Sequence, residues 1–139
     1  MKVSAKAEYA CLAVLALAQH GQDAAPLRIR EISELHGIPE RYLVQILLQL
    51  KGAGLVASTR GAAGGYRLAR PSESISVGEV LSAIDGPNLA ARDSAKADHV
   101  ASQILGRLWD QVREAERNVL DQTTIAALVA QTSPHEWTI

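Results

Sequence analysis

Residues 26–70 read PLRIREISELHGIPERYLVQILLQLKGAGLVASTRGAAGGYRLAR, and the order of elements in them decides the fold. Ile29, Ile32 and Leu35 recur at helical spacing and predict a helix over 28–36 with those residues inward. Gly37 supplies a turn. Pro39 suits the first position of a third helix over about 39–51, where its missing N–H costs nothing. Leu43, Ile46, Leu47 and Leu50 form the core side of that helix, and Glu40, Arg41, Val44, Gln45 and Gln49 lie away from it. Gly52 and Gly54 break it. LVASTR (55–60) alternates weakly, as a strand does, and YRLAR (66–70) is its partner. GAAGG (61–65) is too glycine-rich for a helix and suits a hairpin tip.

The flanks complete an architecture that is mainly α with a small two-stranded β wing. Ser4 is placed to cap a first helix over 4–20, whose stripe is Ala7, Ala10, Cys11, Val14, Leu15 and Ala18. Beyond Pro71, Ser76 and Glu79 have capping-box spacing, and Ile75 with Val80 can staple the start of a fourth helix over 77–84. A long helix over about 98–121 carries Val100, Ile104, Leu108, Val112, Ala115 and Val119 as one narrow apolar stripe. About 24 residues of helix span roughly 36 Å, more than so small a body needs. Such a seam points to pairing with a second copy, the alternative being packing on its own chain. TIAALVAQ (124–131) reads as a short final helix. The expected organisation is a winged helix-turn-helix domain over 1–86, a linker or sensor-region loop over 87–97, and a dimerisation helix plus C-terminal helix over 98–139.

The 139 residues bound this to one domain with a helical appendage. Hydrophobic residues are 47% and aromatics 4%, with no Phe, so the core must be Ala, Leu, Ile and Val. The single cysteine, Cys11, excludes an intramolecular disulfide and fits a reducing cytoplasm. Nothing resembles a signal peptide, and no apolar run approaches the roughly 18 residues of a membrane span. A cytoplasmic protein without membrane contact is expected. Residues 1–70 hold nine Lys/Arg against five acids, whereas 71–139 hold five against ten. A basic half fused to an acidic half gives one face to a polyanion and another to something else.

Enzyme chemistry is not legible. His20, His36, His99 and His135 have no metal-ligand spacing, there is no serine elbow, and GAAGG lacks the Lys-Ser/Thr of a phosphate loop. A winged helix-turn-helix, by contrast, places a helix in the major groove of double-stranded DNA, where base edges carry a distinct donor–acceptor code. Arg41, Tyr42 and Gln45 lie near the N-terminal half of the third helix, the end that reaches in. Arg can hold guanine and Gln adenine through paired hydrogen bonds, each discriminating by about 1–3 kcal/mol. Arg60, at the wing root, suits the minor groove. Gly61, Gly64 and Gly65 would let the hairpin approach phosphates, and Lys2, Lys6, Arg28 and Arg67 would neutralise them. Each has a plainer reading: Tyr42 as a cap on the core, Arg67 as a solvated strand residue, Gln45 as surface.

KVSAKAEYA, IREISELHGIPERYLVQIL, KGAGLVASTRGAAGGYRLARP, ISVGEVLSAIDGP and, more loosely, LWDQVREAERNVLDQTTIAAL together resemble the Rrf-type (BadM-like) family of winged-helix transcription regulators over nearly the whole chain. The GLV…RG…GGYRLAR run is the most specific part. The resemblance implies a homodimer with crossing long helices, a palindromic operator, and DNA contacts from Arg41, Tyr42, Gln45 and Arg60. The wing departs mildly, with Ala62 and Ala63 where members often carry Pro and Gly.

The sensor departs more. Many members place three cysteines between the fourth and the long helix to hold an iron–sulfur cluster. Here that stretch is NLAARDSAKADHVASQILG, without a cysteine. No cluster and no other metal or cofactor is expected, since such a cluster needs several thiolates. Glu8 reads as a first-turn helix acid, His99 as surface and Cys11 as a small core hydrophobe. The expected function is a cluster-free, dimeric, sequence-specific DNA-binding regulator, a repressor, signalled by a small molecule, a protein partner or redox chemistry at Cys11. The competing expectation is an interaction module whose acidic C-terminal half binds a protein.

Overall fold

A computed structural model describes residues 1–21, 23–86 and 99–132. The expected sensor loop and the tail bearing Trp137 lie outside the described residues.

α1 (Ala5–His20) starts where the Ser4 hydroxyl accepts from the Ala7 N–H at 3.0 Å. It is the hub of the fold, packed against three other helices besides its sequence neighbour: α3 (Glu40–Gly52), α4 (Val77–Asp85) and α6 (Ile125–Gln131), as well as α2 (Ile29–His36). Contact on several sides buries more than one stripe. Ala13, Ala16 and Leu17 join Ala7, Ala10 and Val14 inside, while Cys11, Leu15 and Ala18 are half-buried. The buried alanines let neighbouring helices come close.

α2 and α3 meet at Gly37. The expected inward Leu35 is in fact 60% exposed, and Ile38 fills the core beyond the turn. The physical reason is the turn itself: the Ile38 N–H bonds back to the Ser33 carbonyl at 3.1 Å, which swings the next apolar side chain under α2. Pro39 sits one residue before α3, as its cap, and its carbonyl accepts from Tyr42 and Leu43. Leu43, Ile46, Leu47 and Leu50 are fully buried.

β1 (Val56–Thr59) and β2 (Gly65–Leu68) pair antiparallel with Val56 opposite Leu68 and Ser58 opposite Tyr66. Leu27 adds a bridge to Tyr66 on the outer side of β2. Val56 and Leu68 enter the core, so the hairpin root is anchored and its tip projects.

The capping box at the start of α4 is present: the Ser76 N–H donates to Glu79 Oε1 at 3.2 Å and the Glu79 N–H to Ser76 Oγ at 3.1 Å. Ile75 and Val80 are both buried, as the staple requires. α5 (Val100–Gln122) buries fully only Gly106. α6, capped by Thr124, returns to the body and lies on α1 with Ile125 inside. The α5–α6 joint is tied to the start of α4 by Val77 N–H to Thr123 O (2.9 Å) and Ile125 N–H to Ile75 O (2.8 Å).

Candidate nucleic-acid interface

α3 divides into two sides. One is the buried apolar row; the other presents Arg41 and Gln45 to solvent, with Val44 and Leu48 beside them. Leu48 is 59% exposed, so this face is mixed polar and apolar rather than simply charged. Its signal was legible in the 41/44/45/48 spacing, which sequence reasoning used only in part. Tyr42 turns toward α1 and stacks on Tyr9, ring centroids 6.2 Å apart. The Arg41 guanidinium lies 5.1 Å from the Tyr42 ring centre, a cation–π contact that orders it. Tyr42 is therefore a flank residue of the face, and Tyr9 a participant that no spacing rule indicated. Gln49, by contrast, is half-buried and donates to the Ile84 carbonyl at 3.4 Å.

On the wing, Arg60 follows β1 directly and is exposed, as is Gly61. Gly64 and Gly65 also serve the fold. A Cβ on Gly64 would lie 2.3 Å from the Thr59 carbonyl oxygen, and one on Gly65 would lie 2.5 Å from that of Leu27. Gly64 thus closes the hairpin on itself and is buried in doing so, whereas Gly65 lets the Pro26–Leu27 segment lie against β2.

Two of the expected phosphate contacts, Arg28 and Arg67, are set into the fold. The Arg28 side chain donates to the Ala62 carbonyl, tying the start of α2 to the wing tip. Arg67 is half-buried on β2 opposite Ala57, and its Nε is shut from solvent without a partner among the described residues. Its side chain is therefore less solvated than a plain strand residue's. Lys6 is half-buried in the first turn of α1 and Lys2 is exposed.

Charge pairing separates these cations from others. Arg30 pairs with Glu34, Arg70 with Glu79 and Arg113 with Asp110. Among the described residues, Arg41, Arg60 and Lys6 have no carboxylate partner, so their charge is open to an external anion. Arg70 reaches Glu79 at 2.7 Å and also holds Ser74, joining the exit of the wing to α4. That hydrogen bond holds the Glu79 carboxyl below its ordinary range and the Arg70 guanidinium above its own.

For an iron–sulfur cluster the chain offers little thiolate chemistry. Cys11 is the chain's one thiol. It lies half-buried on α1, where burial, and then the charge of Glu8, push it up to about 11, so it stays protonated. Cluster ligation needs several thiolates. Glu8 is exposed in the first turn of α1 and His99 is exposed just ahead of α5. Among the described residues no group of three or more His, Cys, Asp or Glu side chains could hold a metal ion, and no helix is long and apolar enough to cross a membrane.

The comparisons agree with this geometry. The family described as "Rrf2: Iron-dependent Transcriptional regulator" matches residues 3–131. The HTH-type transcriptional regulator CymR of Bacillus subtilis is 33% identical, over 95% of this chain and 92% of its own. The regulator IscR of Photobacterium profundum is 36% identical, over 98% and 80%. The solved structure of CymR, described as the global cysteine regulator of B. subtilis, superposes with a TM-score of 0.85 at 31% identity, covering 96% of this chain and 99% of that one. With its winged helix-turn-helix and end-to-end match, this chain belongs to the Rrf2 family of DNA-binding transcriptional regulators.

Proposed function

We propose that the chain acts as a homodimeric repressor that reads a palindromic operator, with α3 in the major groove and the wing in the adjacent minor groove. The observation that carries this is the outward face of α3. Arg41 and Gln45 are exposed on a helix whose other side is fully buried, beside a hairpin whose Arg60 has no ion pair among the described residues. A helix so anchored can enter a groove without unfolding, and a wing root so placed suits its neighbour. Residues 1–86 would supply the DNA contacts.

Dimerisation is assigned to α5. Val100, Ile104, Leu108, Val112 and Val119 are exposed, and Leu105 and Trp109 widen the stripe they form. A helix this apolar on its open side favours a second copy, and two copies match two half-sites. The reading includes no cluster, because the thiolates for one are missing, and no catalysis. The protein would work in the cytoplasm, and its signal would be a small molecule or a protein partner.

The test is binding of the native chain to fragments of its own genome between about 50 and 200 mM salt. Affinity should fall at least tenfold, because each neutralised phosphate releases counterions. Salt-independent binding, or none, would overturn the reading. A brown, iron-containing preparation would overturn its cluster-free part.

A further inference from the structure

We propose that Lys51 and Ser58 form a seat for one DNA phosphate, on the backbone strand that divides the groove read by α3 from the groove entered by the wing. This rests on the DNA reading above and adds a contact to it. A helix in one groove and a hairpin in the next must straddle a sugar–phosphate strand, since the two grooves of a duplex are separated by nothing else. Something at the junction of helix and wing has to receive that polyanion.

Lys51 and Ser58 occupy the junction. Lys51 lies in the last turn of α3, seven residues after Val44 and on the same flank. Ser58 lies on β1, two residues before Arg60, on the side of the hairpin that Val56 and Leu68 turn toward the core. The Lys51 ammonium donates to Ser58 Oγ at 2.7 Å across the crease. Both side chains are exposed, and among the described residues Lys51 has no carboxylate partner.

The donor inventory fits a phosphate oxygen. An ammonium has three N–H donors, and one is used on Ser58, leaving two. Because the Ser58 oxygen accepts, its own O–H remains free to donate. The pair thus offers a full positive charge and converging donors, which is what charge-assisted binding of phosphate needs. Holding Lys51 by Ser58 also limits the freedom its long side chain would otherwise lose on binding.

The plainer role for a last-turn lysine is to offset the helix dipole. That role would move stability and leave salt dependence untouched, so the two separate experimentally. The measurement is affinity against salt for the native chain, Lys51→Gln, Lys51→Arg, Ser58→Ala and the Lys51→Gln/Ser58→Ala double variant. It uses duplexes that the native chain selects and random duplexes, with a thermal melt of each protein.

Lys51→Gln should lower the slope of log affinity against log salt by about 0.9 per protomer, and should weaken both kinds of duplex alike, on the order of tenfold at 0.1 M salt. Lys51→Arg should keep the slope. Ser58→Ala should weaken binding severalfold, and should cost less than that once Lys51 is Gln, because only its own O–H contact then remains to be lost. An unchanged slope in Lys51→Gln, with or without a lowered melting point, would overturn the seat, as would a loss confined to selected sequences. A native chain that shows a steep slope while Lys51→Gln shows the same one overturns the seat alone; a native chain without salt-dependent binding overturns the DNA reading and the seat with it.

Discussion

Tyr9 of α1 and Tyr42 of α3 stack with ring centroids 6.2 Å apart and planes 25° from parallel. The pair pins the first turn of α3 to the hub helix, and Arg41 rests over the Tyr42 ring at 5.1 Å. In the proposed reading Arg41 is thereby ordered before DNA arrives. Tyr9→Ala should cost about 0.5–1.5 kcal/mol of stability for the aromatic pair, beyond lost burial. It should also weaken operator binding severalfold, because Arg41 loses its platform. Tyr9→Phe should keep both. Denaturation and binding titrations on the same samples check this, and unaltered affinity in Tyr9→Ala would detach the stack from DNA reading.

Leu108 stands in the exposed apolar stripe of α5. Replacing it with Glu puts a charge where a second copy would pack. Sedimentation of Leu108→Glu should give the mass of one chain with helix content retained. Operator affinity should fall by about a hundredfold or more, since two linked half-sites bind far more tightly than one. A variant that still sediments as a dimer would move the interface off this stripe.

Cys11 links stability to alkaline pH. Its thiol is pushed up from an ordinary 9.0 to about 11, by burial first and by Glu8 second. Above pH 9 the unfolded chain ionises this thiol while the folded chain does not. The contribution of Cys11 is therefore complete below pH 9 and is lost as pH rises toward 11, by at most about 1.4 kcal/mol per pH unit. Urea unfolding at pH 8 and pH 10 should show a steeper alkaline loss for the native chain than for Cys11→Ala. Parallel losses would mean that the thiol is open to solvent.

Leu47 is fully buried on the core side of α3. Leu47→Ala should destabilise by about 2–5 kcal/mol through lost transfer energy and a residual cavity. Where the variant remains folded, its DNA affinity should change far less than that of an Arg41 variant. Chemical denaturation gives the first quantity and binding of the folded fraction the second.

Much of this was legible in the sequence because it is local. The α3 core row, the Ser4 cap, the Ser76–Glu79 box and the hairpin each lie within a few residues, where periodicity and capping rules apply. Leu35 misled because a periodic stripe says nothing about where a turn redirects the chain, and Ile38 took the place in the core. Arg28 on Ala62, Tyr9 on Tyr42 and Lys51 on Ser58 join different elements, and the first two span more than 30 positions. Contacts of that kind carry no spacing signal. The wing glycines were visible, but their purpose was not, because the carbonyls that exclude a Cβ belong to the folded hairpin and to Leu27.

The most direct test is to mix the purified protein with fragments of its own genome and sequence what it retains, with Arg60→Ala in parallel. The account predicts that the native chain enriches fragments sharing one palindrome, and that Arg60→Ala retains them weakly and with relaxed sequence. Retention without a shared sequence, alike in both proteins, would contradict it.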